Sequence, residues 1–323
     1  MSDARWMGAA LTLAARGRGR TAPNPAVGCV IVTDGKVVGR GWTQPGGRPH
    51  AEAMALTQAG VHAKGATIYV TLEPCAHRSQ RGPACADLLV AANPARVVVA
   101  AIDPDPRTNG AGIARIEAAG IAVVTGVRAT EAKDSMAGFI SRQRMGRPHI
   151  TLKLALSLDG KIALPDGTSR WITGPEARAH AHLERSRCDL IVVGRGTLDA
   201  DAPLLDVRLP GLEDRSPQRA LLTHGDAPAG WVALAAPQDV AKLGAVDDVL
   251  VEGGSGAAAA FLAADLVDRL IIYRAPILIG AGRDAIGDLG LADLASAHGR
   301  WKNIDTRPLG SDRIDVYQRI RGE

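Results

Sequence analysis

The residue types in this 323-residue chain best suited to chemistry fall in one constellation: His50-Ala51-Glu52, then Thr71-Leu72-Glu73-Pro74-Cys75, then Cys85. Imidazole nitrogen and thiolate sulfur are donors that zinc prefers, and a catalytic zinc keeps one of its four positions for water. His50, Cys75 and Cys85 supply three such donors. Water on that ion falls in pKa toward about 7 and becomes a nucleophile at neutral pH. Glu52, two residues after the histidine, is spaced to take the water's proton and hand it to a departing amine. A solvated histidine at a helix start would explain His-x-Glu equally well. The Pro-Cys pair that follows an apolar strand shifts the reading to a metal site.

A second constellation lies in the other half. Val249-Leu250-Val251-Glu252 runs into Gly253-Gly254-Ser255-Gly256 and then an alanine-rich stretch. Backbone N–H groups at such a helix start favour phosphate. Close packing of any strand on a helix would also account for the glycines, and the dinucleotide fingerprint Gly-x-Gly-x-x-Gly is missing.

Regular elements must position these groups. Trp6, Ala10, Leu11 and Ala14 recur at helical spacing and predict an amphipathic first helix. Residues 27–32, Asp34-Gly35 and residues 36–41 read as a hairpin with a tight turn. A helix over 50–58 stops at Gly60. It is followed by a strand over 68–72, a helix over 84–92, a strand over 96–102, a helix over 113–119 and a strand over 121–125. Alternation after an opening hairpin predicts an α/β/α domain with a mixed sheet. The basic, glycine-containing stretch 141–148 interrupts the pattern and puts the boundary between domains 1–146 and 147–323. Beyond it come strands over 149–156, 190–194, 220–224, 249–252 and 270–273, a helix near 175–186 and the small-residue helix after Gly256. No internal repeat relates the halves.

Length alone asks for two domains. With 46% hydrophobic and 22% charged residues, the chain is globular rather than disordered. Aromatics are only 3%, which argues against a single-strand nucleic-acid binder built on stacking platforms. The net charge of +4 comes from 38 basic and 34 acidic residues without a block of like charge. Scattered arginines suit small phosphorylated ligands better than a polyanion. Four cysteines are too few for a disulfide scaffold, and no apolar run reaches the roughly 18 residues of a membrane span. The expectation is a cytoplasmic protein with neither nucleic acid nor membrane as partner. Cys29 and Cys188 read as buried small apolar residues. His180 and His182 read as surface residues, since no third ligand stands near them.

The motifs of the first half resemble the deaminase domain of the bifunctional riboflavin biosynthesis deaminase/reductase family. The matching runs are Pro23-Asn24-Pro25 on to Val32, His50 to Glu52, and Thr71 to His77. The resemblance implies a cytidine-deaminase-like fold, zinc on His50, Cys75 and Cys85, Glu52 as proton shuttle, and substrate contacts by Asn24, His77 and Asp103. Nine residues separate Cys75 from Cys85, where many zinc deaminases have two, and the loop is one residue longer than this family's own. Arg81 is the expected basic contact there. Asp103-Pro104-Asp105-Pro106 stands where the family has Asp-Pro-Asn-Pro. A carboxylate at Asp105 accepts but cannot donate, so Asp105 reads as a turn residue.

The second half resembles the reductase domain of the same family, through Lys153-Leu154-Ala155-x-Ser157-Leu158-Asp159-Gly160-Lys161, Ser169-x-Trp171-Ile172-Thr173, Val193-Gly194, Thr197, Asp201-x-Pro203-x-Leu205 and Val207-Arg208. This implies a dihydrofolate-reductase-like α/β fold with NADPH as hydride donor. Ala155, Trp171, Thr197, Asp201, Gly254, Ser255 and Gly256 fall to the cofactor. Lys153, Ser169, Arg185, Leu205, Arg208 and Glu252 fall to the substrate. Ala202 and Asp206 replace the family's aspartate and threonine. The implied partners are small phosphorylated pyrimidines, with assembly as a homo-oligomer. Three rivals remain: a nucleic-acid or nucleoside base deaminase with an accessory domain, a homologue retaining one of the two activities, and a non-catalytic binding module.

Overall fold

A computed structural model of the chain describes residues 2–77 and 82–321. The chain divides into two compact units, Met1–Gly146 and Arg147–Glu323.

The first unit runs α1 (Asp3–Ala14), β1 (Gly28–Thr33), β2 (Lys36–Trp42), α2 (Ala51–Ala59), β3 (Thr67–Leu72), α3 (Cys85–Ala92), β4 (Arg96–Ala101), α4 (Ala111–Ala118), β5 (Ala122–Thr125), α5 (Ala129–Ser135) and α6 (Ala137–Met145). Its sheet has the order β2-β1-β3-β4-β5. The hairpin strand β1 is antiparallel to β3, while β3, β4 and β5 are parallel. This is the mixed sheet that the alternation of elements predicts. Asp34 and Gly35 both take positive φ, 50° and 70°, which is what a two-residue turn joining right-twisted strands requires.

Glycines let the helices lie directly on the hairpin. A Cβ on Gly28 would stand 1.9 Å from the Ala10 carbonyl oxygen of α1, and one on Gly41 would stand 2.0 Å from that of Ala51 in α2. Cys29 pairs with Gly41 across the ladder, so Gly28 and Gly41 face opposite sides of the sheet. Hence α1 and α2 cover opposite faces, in three layers. The face of α1 that is buried comprises Met7, Ala10, Leu13 and Ala14. Trp6 and Leu11, which the helical spacing also assigns to that face, pack at its margin. The stretch 141–148 is largely helical: α6 continues through it to Met145 and is closed by Gly146 at φ 67°.

The second unit runs β6 (His149–Leu156), β7 (Lys161–Ala163), α7 (Pro175–Arg185), β8 (Leu190–Gly194), α8 (Arg195–Asp201), β9 (Gln218–Leu222), β10 (Val232–Leu234), β11 (Asp248–Val251), α9 (Ser255–Ala263), β12 (Arg269–Arg274), β13 (Arg283–Asp284), β14 (Trp301–Leu309) and β15 (Asp312–Arg319). The main sheet is ordered β10-β9-β8-β11-β6-β12-β15-β14. It is parallel from β10 to β12. The hairpin β14–β15 adds antiparallel strands at one edge. No helix of the described residues is long and apolar enough to cross a membrane.

Because α2 carries Glu52 and begins just after His50, its seat on Gly41 also sets the chemistry. Gly41→Ala is expected to cost about 1–3 kcal/mol through overpacking, read by calorimetry of the whole chain as a lower transition temperature.

Two candidate active sites

In the first unit, three element ends converge. His50 is the N-cap of α2, Cys75 lies just past the end of β3, and Cys85 opens α3. His50 Nδ1 lies 3.3 Å from Cys85 Sγ and 3.7 Å from Cys75 Sγ. Tetrahedral zinc, with bonds of about 2.3 Å to sulfur and about 2.0 Å to nitrogen, sets a nitrogen and a sulfur donor about 3.6 Å apart, so both histidine–cysteine distances suit the ion. All three donor atoms lie within 4.8 Å of one another. The Cys85 amide donates to Cys75 Sγ at 3.3 Å. Hydrogen bonds from Cys85 and His50 bring the Cys75 thiol down to about 4 against the effect of burial, so it is ready as a thiolate ligand. Glu52, in the first turn of α2, is 3% exposed. Burial raises its pKa, with the charge of His50 opposing.

Around this centre, Asn24 Nδ2 donates to the Gly47 carbonyl at 2.8 Å and lies 3.4 Å from His50 Nε2. His77 Nδ1 is 3.4 Å from the Thr108 hydroxyl. Asp103 is buried, and burial followed by the charges of Asp105 and Glu73 lifts its pKa to about 7. A cavity of about 430 Å3 borders His50 and Cys85. Asn24, His77 and Asp103 do not line that cavity. Arg81 lies outside the described residues.

In the second unit a cleft of about 1060 Å3 opens between β6, α7, α8 and the start of α9. Lys153, Ala155, Ser169, Trp171, Arg185 and Thr197 line it. So do Asp201, Leu205, Arg208, Glu252 and the run Gly254-Ser255-Gly256. The Thr197 hydroxyl accepts the Gly254 N–H at 2.8 Å, which anchors the glycine turn at the N-terminus of α9. Ser169 Oγ donates to Asp201 Oδ1 at 3.4 Å. Trp171 is 64% exposed, and the Arg178 guanidinium lies 4.9 Å from its ring centroid.

The comparisons with known proteins divide in the same place. The family model "Cytidine and deoxycytidylate deaminase zinc-binding region" matches residues 1–101, and "RibD C-terminal domain" matches residues 148–313. The riboflavin biosynthesis protein RibD of Escherichia coli is 40% identical, over 97% of this chain and 98% of its own length. That of Aquifex aeolicus is 37% identical over 98% of both. The chain belongs to the RibD family. Among solved structures, Acinetobacter baumannii RibD aligns with TM-score 0.86 at 35% identity, covering 99% of both chains. The Thermotoga maritima diaminohydroxyphosphoribosylaminopyrimidine deaminase/5-amino-6-(5-phosphoribosylamino)uracil reductase aligns with TM-score 0.88 at 31% identity, covering 98% of both. The fold is thus cytidine-deaminase-like in the first unit and that of the RibD reductase domain in the second.

Several residues of this RibD-family chain do more than their sequence context suggests. The Glu73 carboxylate accepts backbone N–H groups from Asp103, Gly110, Gly112 and Ile113 at 2.9–3.3 Å. A charged residue placed between an apolar strand and a proline is the one signal that pointed to it, and its partners lie too far along the chain to be read. His180 and His182 are not surface residues. Both are half-buried, His180 Nδ1 lies 2.7 Å from the Tyr273 hydroxyl, and His182 lines the cleft. Asp105 is more than a turn residue: it is buried and clasped by Arg107, with an Nη2–Oδ2 distance of 2.5 Å.

Arg185 is not a free fork. Its Nε and Nη2 donate to the two oxygens of Glu252 at 2.7 and 2.9 Å, and its Nη1 donates to the Asp206 carbonyl. Burial would raise the Glu252 pKa, but Lys153 and Arg185 outweigh it and hold the carboxyl at about 2. The ionised network therefore contributes stability that is complete above the ordinary value of 4.5 and is lost as pH falls through about 2. Arg185→Leu leaves the buried Glu252 carboxylate with Lys153 as its one cation among the described residues, at 3.6 Å, and should cost about 3 kcal/mol at pH 7, the lower end for breaking a buried pair. Urea unfolding at pH 7 and pH 4 is expected to show a smaller deficit at pH 4, where the carboxyl takes up a proton.

Proposed function

We propose that residues 1–146 are a zinc-dependent pyrimidine deaminase and residues 147–323 an NADPH-dependent reductase, acting in succession on one phosphorylated intermediate of riboflavin synthesis. The observation that carries this reading is the convergence of His50, Cys75 and Cys85 with buried Glu52, on a chain whose other unit holds a large cleft at a glycine-rich helix start. The substrate is 2,5-diamino-6-(5-phosphoribosylamino)pyrimidin-4-one, whose amine is exchanged for oxygen with release of ammonia.

Zinc held by that trio supplies Lewis acidity and lowers the pKa of water. The remaining work belongs to the protein. Glu52, with its pKa raised by burial, takes a proton from the attacking water and delivers it to the leaving amine. Asn24 and His77 orient the ring, and ionised Asp103 accepts a ring N–H. In the reductase unit NADPH, when bound, supplies the hydride that converts the ring-opened ribosyl group to ribityl. Ala155, Trp171, Thr197, Asp201 and the 254–256 turn would hold it, with the backbone N–H groups at the start of α9 toward phosphate. The cleft volume is at the upper end of small-molecule sites, which suits a dinucleotide beside a second ligand. Lys153, Ser169, Arg185, Leu205, Arg208 and Glu252 position the sugar chain. Arg185 does so as a pinned group, since Glu252 holds it. A cytoplasmic location and assembly as a homo-oligomer belong to the same reading.

The decisive assay follows ammonia and NADPH together with purified protein. About one zinc per chain is expected, and Glu52→Gln should lower ammonia release about 100-fold or more while turnover of the deaminated intermediate continues. Full activity in zinc-free protein would overturn the deaminase assignment, and absence of NADPH binding would leave the deaminase alone. The role given to Asp103 adds a pH signature. With its pKa near 7, Asp103 is protonated below that pH, so KM for deamination should rise as pH falls through about 7. In Asp103→Asn that inflection should disappear.

A further inference from the structure

Arg48 stands two residues before His50 and lines the cavity of about 430 Å3 that also borders His50 and Cys85. The rest of that wall is apolar or glycine, with Ala53, Pro83 and Leu88 prominent. A guanidinium is charged at every working pH. This one is half-buried and has neither ion pair nor hydrogen bond among the described residues. It reaches the opposite wall, where a Cβ on Gly82 would lie 2.8 Å from its Nη1. The cation thus bridges the approach to α2 and the approach to α3, the two elements that present His50 and Cys85.

Partial removal of a cation from water into apolar surroundings is unfavourable unless an anion meets it. The fork geometry of arginine matches a phosphoryl group with two parallel hydrogen bonds. The described residues offer Arg48 no carboxylate, which leaves its charge open to an anionic ligand in the cavity. We infer that Arg48 recognises the phosphoryl group of the deaminase substrate and holds that end of the molecule while the pyrimidine ring lies at the metal ligands. This inference rests on the deaminase reading and adds to it a residue that sets specificity for phosphorylated over unphosphorylated substrate.

The test compares kcat/KM for the phosphorylated substrate and its dephosphorylated ribosylamino analogue in wild type, Arg48→Gln and Arg48→Lys. Zinc content and NADPH-driven turnover monitor the fold. The preference for the phosphorylated form should fall about 10- to 100-fold in Arg48→Gln, the range of one charge-assisted hydrogen bond, and be largely kept in Arg48→Lys. An unchanged preference in Arg48→Gln overturns the inference. If wild-type protein releases no ammonia from either compound, the deaminase reading is what fails. Calorimetric titration with inorganic phosphate then decides separately: one phosphate site fewer in Arg48→Gln than in wild type supports the anion site, and an equal number of sites in the two refutes it.

Discussion

Glu73 stands where β3 gives way to the Pro74-Cys75 turn, and it is 2% exposed. A carboxylate there is tolerable only if fixed donors replace its water. All four come from the backbone, from Asp103 after β4 and from Gly110, Gly112 and Ile113 at the start of α4. Since β3 and β4 are parallel neighbours, their carboxyl ends emerge side by side, and Glu73 ties one exit to the other. A Cβ on Gly112 would lie 2.0 Å from the Pro74 carbonyl oxygen, so the helix start is pressed onto the turn that carries Cys75. One anion therefore sets the positions of a metal ligand, of Asp103 and of Thr108 beside His77. The positive end of α4 adds to its stabilisation.

The second unit solves a similar problem with side chains. Glu252 follows β11, Lys153 lies on the neighbouring β6, and Arg185 ends α7. Arg185 lies 2.7 Å and Lys153 3.6 Å from the carboxylate. Both units gather their sites at the carboxyl ends of parallel strands, where open α/β sheets bind ligands. The difference lies in what fixes each site. Backbone donors leave the first no freedom short of moving whole elements, whereas the second depends on charged groups that a ligand's own charges can reorder.

Most of this architecture was legible in the sequence because it is written in short-range patterns. The hairpin, the alternating strands and helices of residues 1–125 and the strand–glycine–helix junction at Gly253 all have local signals. So did the three metal donors, since His-x-Glu and Pro-Cys each sit at an element end. The β14–β15 hairpin was not legible. Its strands carry charged or polar residues at most positions, with Ile314 and Val316 buried, so no apolar run announces it. The helices α5 and α6 carry little signal for a related reason: nine of the 17 residues at 129–145 are polar or charged, and the Gly146 cap falls in the basic stretch that marks the domain boundary. His180 was misplaced because its partner Tyr273 lies 93 residues away. Side-chain networks of that reach carry no signature of spacing.

The departures from the family pattern acquire a physical sense once their neighbours are seen. Asp105, in place of an asparagine, is gripped by Arg107 two residues on, and the hydrogen bond from that guanidinium lowers its pKa against burial. Asp206, in place of a threonine, has Arg208 two residues on at 3.3 Å. The same short-range device meets an added acid in each unit. Its strength differs: Arg107 closes on a buried carboxylate, whereas Asp206 is only half-buried and Arg208 is well exposed to solvent, where screening leaves a pair less energy. The first replacement is thus close to electrically neutral. The second leaves an acid beside Arg208, an arginine proposed to position the sugar chain, so Asp206 competes with the substrate's hydroxyls for that guanidinium.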